Sequence, residues 1–495
     1  MRCGAIHLFT RDLRIGDHAG LQAASRSGSV VPAFILDPAS HERFVRSPRR
    51  GAFFCGALAA LAESFERAGT RLIVRRGPLV ATVRRLVREL APEAVVWSAA
   101  YDAPTAALRE RLAASLEERG VRVVVVHDAP AVAPDESAAR RRDADGRGYR
   151  SFVAYLAAWE AAPRAPIAQP AIIFHRHDGL SEPLPEPAEF GAAERSLDAS
   201  EAAALAQLER FIAGPAVQYT GSRLVPSVDG TSRLGPALSF GTVSARTVLA
   251  RLDDRARDPF LLTEERLALR SFARALARRD FFLQLAWFFE ERRDRPLQAK
   301  MRQFAFARTH PQLERWRTGE TGFPLVDAGM RELRATGWMH PRVRQIAASF
   351  LCFDLGVDWR IGRDAWDREL VEDDPALATG AWQWAAGVGA DLAAYPRIFH
   401  PVKQARSIDP LGRYVRRWIP ELAAAPDRAV LDPTAAARTN QLDLPLFDES
   451  AYPAPILNHE AAARAFLNRY GREVPRAVTP SPMDDYRARA RPTSR

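Results

Sequence analysis

Two sets of residues in this 495-residue chain have types and spacings that could do chemistry. The first is GTSRLGPALSFG at 230–241, where Thr231 and Ser232 stand just before a helical pattern. Hydroxyls and unpaired backbone amides at a helix start coordinate phosphate oxygens. The same pattern also serves as an ordinary N-cap, so both readings stand at this point. The second set spans Thr321–Leu422, where Trp338, Trp359, Trp382, Trp384 and Trp418 recur among Arg342, Arg344, Arg360, Glu372, Asp373 and Asp374. Tryptophans at such spacing fill the core of many soluble domains. The interleaved charges ask for more, because a buried charge without a partner is expensive.

The elements that must position these residues fall into two kinds. Apolar runs at 4–9, 30–36, 71–75, 94–97 and 121–126 read as strands, and helical patterns lie between them at 51–68, 79–90 and 103–119. That alternation predicts a doubly wound parallel sheet. No GxGxxG follows the first strand, so the fold alone implies no dinucleotide there. From 129 the pattern breaks, with a basic run at Arg140, Arg141 and Arg142 that reads as a solvated loop and a Pro/Ala-rich stretch at 160–195. Beyond 201 the spacing is helical, with helices predicted over 324–336 and 340–356 and Gly337 between them. The expected division is an α/β domain over 1–130, a linker over 131–200, an all-α domain over 201–475 and a disordered tail over 476–495.

Composition bounds the function. Forty-seven per cent hydrophobic content allows a large core, and a net charge of +10 favours a polyanionic partner such as DNA. Cys3, Cys55 and Cys352 are odd in number and far apart, so no disulfide framework or metal site is expected. No run of about 20 apolar residues and no signal-like N-terminus occurs, so a soluble, cytoplasmic protein without membrane contact is expected, with a monomer favoured.

The motifs TGFPLVDAGMRELRATGWMH, ASFL, DWR, WQW, RIFHP and DPLGRYVRRWIPEL follow in order through 321–422, and FTRDLRIGDHAGL follows the first strand. Together they closely resemble the photolyase/cryptochrome family. The resemblance implies an α/β antenna domain, an all-α domain holding FAD, and blue-light chemistry. It places Tyr219, Thr231, Ser232, Arg233 and Leu234 at the phosphate end of FAD, with Arg279 and Trp338 also at the cofactor. Arg344 should face the isoalloxazine and pair with Glu372, where the family usually has Asp, and Asp374 should lie by the flavin carbonyl or ribityl groups. Ala378 takes the place of the family's residue beside flavin N5, so that side-chain control of protonation is lost.

The family's three-tryptophan relay maps onto Trp382, Trp359 and Phe306, and the phenylalanine should block the usual exit. In the substrate pocket Arg278 replaces the lesion-stacking Trp and Ala275 its upstream Glu, Pro341 and Gln345 replace an Asn and a Met, and Trp384 is retained. An antenna chromophore is implied, but WSAAYDAP at 97–104 lacks the family's folate contacts, so folate is not expected and the antenna stays unassigned. Three cysteines cannot supply the four-cysteine iron–sulfur cluster that some members carry. Two functions compete. Light-driven repair of pyrimidine dimers in DNA is favoured by scaffold and charge, and a cryptochrome-like photoreceptor or other non-repair flavoprotein by the altered pocket.

Overall fold

The computed structural model describes residues 3–139, 148–163, 171–177, 181–289, 293–390, 396–433 and 452–474. The basic run Arg140–Arg142 and the predicted tail lie outside the described residues.

Strands β1 (Ala5–Phe9), β2 (Val30–Leu36), β3 (Ile73–Arg76), β4 (Ala94–Ser98) and β5 (Arg122–Val126) form one sheet in the order β3-β2-β1-β4-β5. Every pairing is parallel. The inner strands read as continuous apolar runs because both faces of the sheet are covered. The Pro48–Arg67 helix puts Phe54, Leu58 and Phe65 against one face. The Leu79–Leu90 and Ala103–Glu117 helices put Val83, Leu86, Leu112 and Leu116 against the other. Strand order reverses between β1 and β4, and a crevice opens there at the carboxyl ends of the strands. Thr10 and Arg11 after β1, Ser98–Tyr101 at and after the end of β4, and Arg279 and Asp374 from the helical region line this small cavity, with a volume of about 50 Å³.

The helical region is built on the Thr263–Phe288 helix and on the Pro324–Thr336 helix, which ends at left-handed Gly337. The helix predicted over 340–356 divides into Pro341–Ser349 and a π-helical turn, Phe350–Asp354. There the ladder widens, with the Leu355 amide donating to the Phe350 carbonyl, and Asp354 meets the His459 ring.

The stretch between the two regions is folded onto both. In the Phe152–Ala161 helix, Tyr155 and Trp159 are buried, and Trp159 Nε1 donates to Asp280 at 2.9 Å. Burial pushes the Asp280 carboxyl up to about 6. Further on, Ile173 and His175 bond the backbone of Val30 at the start of β2.

The segment after β1 joins sheet to helices. The Leu13 amide donates to Phe240 O, and the Arg14 guanidinium reaches Gly241 O and the Asp128 carboxylate. Arg246 bridges Asp17 and Asp128, and Glu201 accepts the amides of Ile15 and Gly16. Asp373, 3% exposed, is met by Arg43 and lies 3.8 Å from Arg11 and 3.9 Å from Arg50. Burial alone would raise its pKa, but the three guanidiniums hold it below the ordinary carboxylate value.

Asp373→Ala is expected to cost about 3–5 kcal/mol, because it leaves three cations around an empty acceptor. Urea denaturation against wild type measures this. The folded-state pKa is depressed, so the stabilisation is present above the unfolded value of roughly 3.9 and is lost as pH falls through the folded one. The difference between wild type and variant should therefore shrink at acid pH.

Candidate cofactor and substrate site

Three consecutive acids divide the work of the site. Glu372 receives a bidentate pair from Arg344 at 2.7 and 3.0 Å, and Arg344 Nε donates to Met339 O at 2.8 Å. Both side chains stay 21% exposed, so the pair is partly buried and is not sealed in the core. The Glu372 carboxylate lies against Gly235, where a Cβ would collide with it. Gly235 opens the short Gly235–Phe240 helix, which no side chain caps among the described residues. Pro236 at its second position has no N–H, so the donors at this start are the Gly235 and Ala237 amides, beside the half-buried Thr231 and Ser232. Ser232 accepts the Leu234 amide, and its carbonyl is held by Gln207. Arg233 adopts a left-handed backbone, φ 49°, with its guanidinium 4.4 Å from the Trp338 ring centroid.

Asp374 caps the Pro375–Ala385 helix by accepting the Leu377 amide, and lies 3.8 Å from Arg279. Burial raises its carboxyl pKa against the pull of Arg279. Arg279 itself donates to Ala129 O and Leu238 O, which ties the 263–288 helix to the loop after β5. Asp374, Ala378 and Trp382 are spaced four apart on one face of their helix. Ala378 gives that face a methyl group between a carboxylate and a buried indole.

The remaining expected residues have contacts of their own. Tyr219 packs its ring on Phe211 and Phe272. Arg278, expected in the substrate pocket, lies 3.9 Å over Phe152 of the 152–161 helix. Pro341 begins its helix, and Gln345 accepts a hydrogen bond from Arg342, which also reaches Gln404 and covers Phe399. Trp384 sits beneath Arg397 at 5.4 Å. Trp359 is buried, and half-buried Phe306 packs on Phe304 and Phe466.

Several contributors escaped sequence reasoning. Gly235 and Asp373 act through contacts that no spacing shows. Trp366, whose ring is 4.5 Å from Trp382, could have been found, since it stands seven residues after Trp359 and two helical turns along the same face. Tyr101, bonded to His127 at 2.6 Å and close to Trp287, forms an aromatic wall by the crevice. His7, Asp12 and His18 also cluster, with ligand-type atoms within 4.8 Å of one another. His18 Nδ1 accepts the amides of Gly20 and Leu21, so its proton sits on Nε2, directed at Asp12 O. That leaves His18 no lone pair for a metal.

Comparison with known proteins agrees with this architecture. The DNA photolyase family matches residues 5–171, and the FAD binding domain of DNA photolyase matches residues 272–472. A deoxyribodipyrimidine photo-lyase of Streptomyces griseus is 36% identical over 481 residues, covering 94% of this chain and 98% of the relative. The crystal structure of a bacterial class III photolyase from Agrobacterium tumefaciens superposes with a TM-score of 0.82 at 29% identity, over 95% of this chain and 98% of the other. A Synechocystis cryptochrome shares the fold, with a TM-score of 0.82 at 24% identity, over 94% and 99% of the two chains. The fold is thus that of a two-part flavoprotein, an α/β sheet joined to a helical cofactor domain. The chain belongs to the DNA photolyase family, and FAD is its cofactor. The partly buried Arg344–Glu372 pair and the hydroxyls and amides around Thr231–Gly235 are donors and acceptors suited to a flavin and a diphosphate.

Arg344→Ala removes a charge-assisted pair worth about 1.5–3 kcal/mol and strands Glu372. Flavin affinity should fall on the order of tenfold or more, read as the flavin-to-protein absorbance ratio after gel filtration. Unchanged occupancy would remove Arg344 from the site.

Proposed function

We propose that this protein is a light-driven DNA photolyase, acting as a monomer on pyrimidine dimers, with a substrate pocket unlike that of its relatives. The observation that carries this reading is the end-to-end match to deoxyribodipyrimidine photo-lyases, together with a bidentate Arg344–Glu372 pair that is only partly buried. Bound FAD would supply one-electron transfer to the dimer. Glu372 and Arg344 would hold the isoalloxazine, Asp374 its polar edge or ribityl chain, and Thr231, Ser232, Arg233 and Leu234 the phosphate end. Trp338, Arg279 and Tyr219 would be further contacts of the cofactor. Ala378 offers no polar atom, so the protonation of the flavin is left to water and backbone.

A dimer must leave the duplex stack to reach this chemistry, and it then needs an aromatic wall and polar edges. Trp384 under Arg397 would be the wall, and the Arg342–Gln345 pair the polar edge. Pro341 offers no donor, and Arg278 is engaged with Phe152. The crevice between β1 and β4 would hold a second, light-gathering chromophore, with Tyr101 as its aromatic wall and Arg11, Arg109 and Arg279 as its cations. A cryptochrome-like photoreceptor is the second reading, favoured by the methyl group at Ala378 and the missing donor at Pro341.

The test is dimer loss in an oligonucleotide under blue light with the photoreduced protein. Repair is expected, but slow. Discrimination between damaged and undamaged DNA should be below the roughly 4–10 kcal/mol that separates specific from non-specific binding in dedicated sites. No selectivity and no repair from a fully flavin-loaded protein would establish the photoreceptor reading.

Binding to DNA should also weaken on the order of 10³-fold between 50 and 200 mM salt if about six phosphates are contacted. Fluorescence anisotropy at both salt concentrations measures this. A salt-independent or absent interaction would count against DNA as the partner.

A further inference from the structure

The Trp359–Asp367 helix turns Trp359, Gly362 and Trp366 inward. Gly362 has no side chain, and a Cβ there would overlap the six-membered ring of Trp382. Trp382 therefore rests directly on this helix. From that seat its ring centroid lies 4.5 Å from Trp366 and 6.4 Å from Trp316. Trp316 and Trp366 are nearly parallel, 13° apart in plane and 6.2 Å in centroid. All three indoles are buried.

Trp359 has different surroundings. The guanidiniums of Arg360 and Arg363 sit over its ring at 5.5 and 5.2 Å, each paired to nearby aspartates. A cation over an aromatic face is attracted to the neutral π-system, and the same field opposes removal of an electron from it. In the relay that the resemblance implies, Phe306 follows Trp359; it packs on Phe304 and Phe466, and phenylalanine is much harder to oxidise than tryptophan.

We infer that Trp366, backed by Trp316, takes the electron vacancy from Trp382 when light drives flavin reduction, in place of the Trp359 branch. The inference rests on the proposed reading of the chain as a photolyase, with Trp382 as the relay tryptophan next to bound FAD. One electron passes from Trp366 to the oxidised Trp382 ring. Trp382 returns to its neutral form, the positive charge resides on Trp366, and no bond is made or broken. Trp366 Nε1 is buried without an acceptor, so its proton has nowhere to go and the radical remains a cation. The vacancy ends by charge return or by reaction with a small thiol that donates one electron.

Two measurements test this on the full chain. In the flavin-free protein, near-ultraviolet circular dichroism reports coupling between the indoles. Trp366→Phe should lose the coupled-indole signal. In the FAD-loaded protein, flash excitation and electron paramagnetic resonance should show a tryptophan radical cation. Trp366→Phe is expected to abolish its long-lived component at unchanged flavin occupancy. A long-lived radical that survives in Trp366→Phe overturns the assignment, and so does one that disappears in Trp359→Phe. The underlying reading fails separately: a radical that survives in Trp382→Phe would show that FAD does not draw on Trp382 at all.

Discussion

The buried carboxylate of Asp373 is the interaction on which the rest of this molecule depends. A carboxylate taken out of water is costly, and only opposite charge with good geometry offsets that cost. Here the charge comes from another part of the chain, as Arg11, Arg43 and Arg50 converge on one acid of the helical region. Because Asp373 stands between Glu372 and Asp374, fixing it also fixes both neighbours. Glu372 is turned to Arg344, and Asp374 to Arg279 and the start of its helix. The sheet domain therefore helps to position the three acids, and its Thr10, Arg11 and Ser98 share a crevice with Asp374 and Arg279.

The same logic explains the segment Arg11–Asp17. Its charged residues lie in the joint between sheet and helices. Arg14 and Arg246 share Asp128, and Asp17 receives Arg246 and Ser244. Asp128 is held well below the usual carboxylate range because these cations outweigh its burial. A network of paired, hydrogen-bonded charges resists sliding in a way that apolar contact does not, since each displacement exposes an unpaired group. The crevice at the strand reversal is consequently a preformed cavity between two fixed walls.

Chemistry at the helical side rests on one helix meeting another without an intervening side chain. Gly362 lets Trp382 approach the 359–367 helix, which brings Trp366 into contact range. The helix that carries Trp382 also carries Asp374 and Ala378 on the same face. The carboxylate, the methyl group and the buried indole are therefore linked mechanically, and a shift of that helix would move all three.

The sequence by itself determined the two-part architecture, because alternating apolar runs and helical spacing are local signals that tertiary contacts had no reason to override. Strands at 30–36 and the helices 79–90 and 324–336 are found where periodicity put them. The ion pair of Arg344 with Glu372 was legible through resemblance. Other features lay beyond any reading of spacing. A helix over 340–356 was expected, but the π-turn at 350–354 divides it so that Asp354 can meet His459, more than a hundred residues away. Arg278 could have faced the substrate, and only the folded position of Phe152 shows where its guanidinium goes. Asp373 had no assigned role beside Glu372 and Asp374 until the sheet domain supplied its arginines. These outcomes share a physical reason. Helix and strand formation depend on neighbours in sequence, whereas the partner of a buried charge or a buried indole is chosen by which distant segment arrives beside it, and that is settled only when the chain has folded.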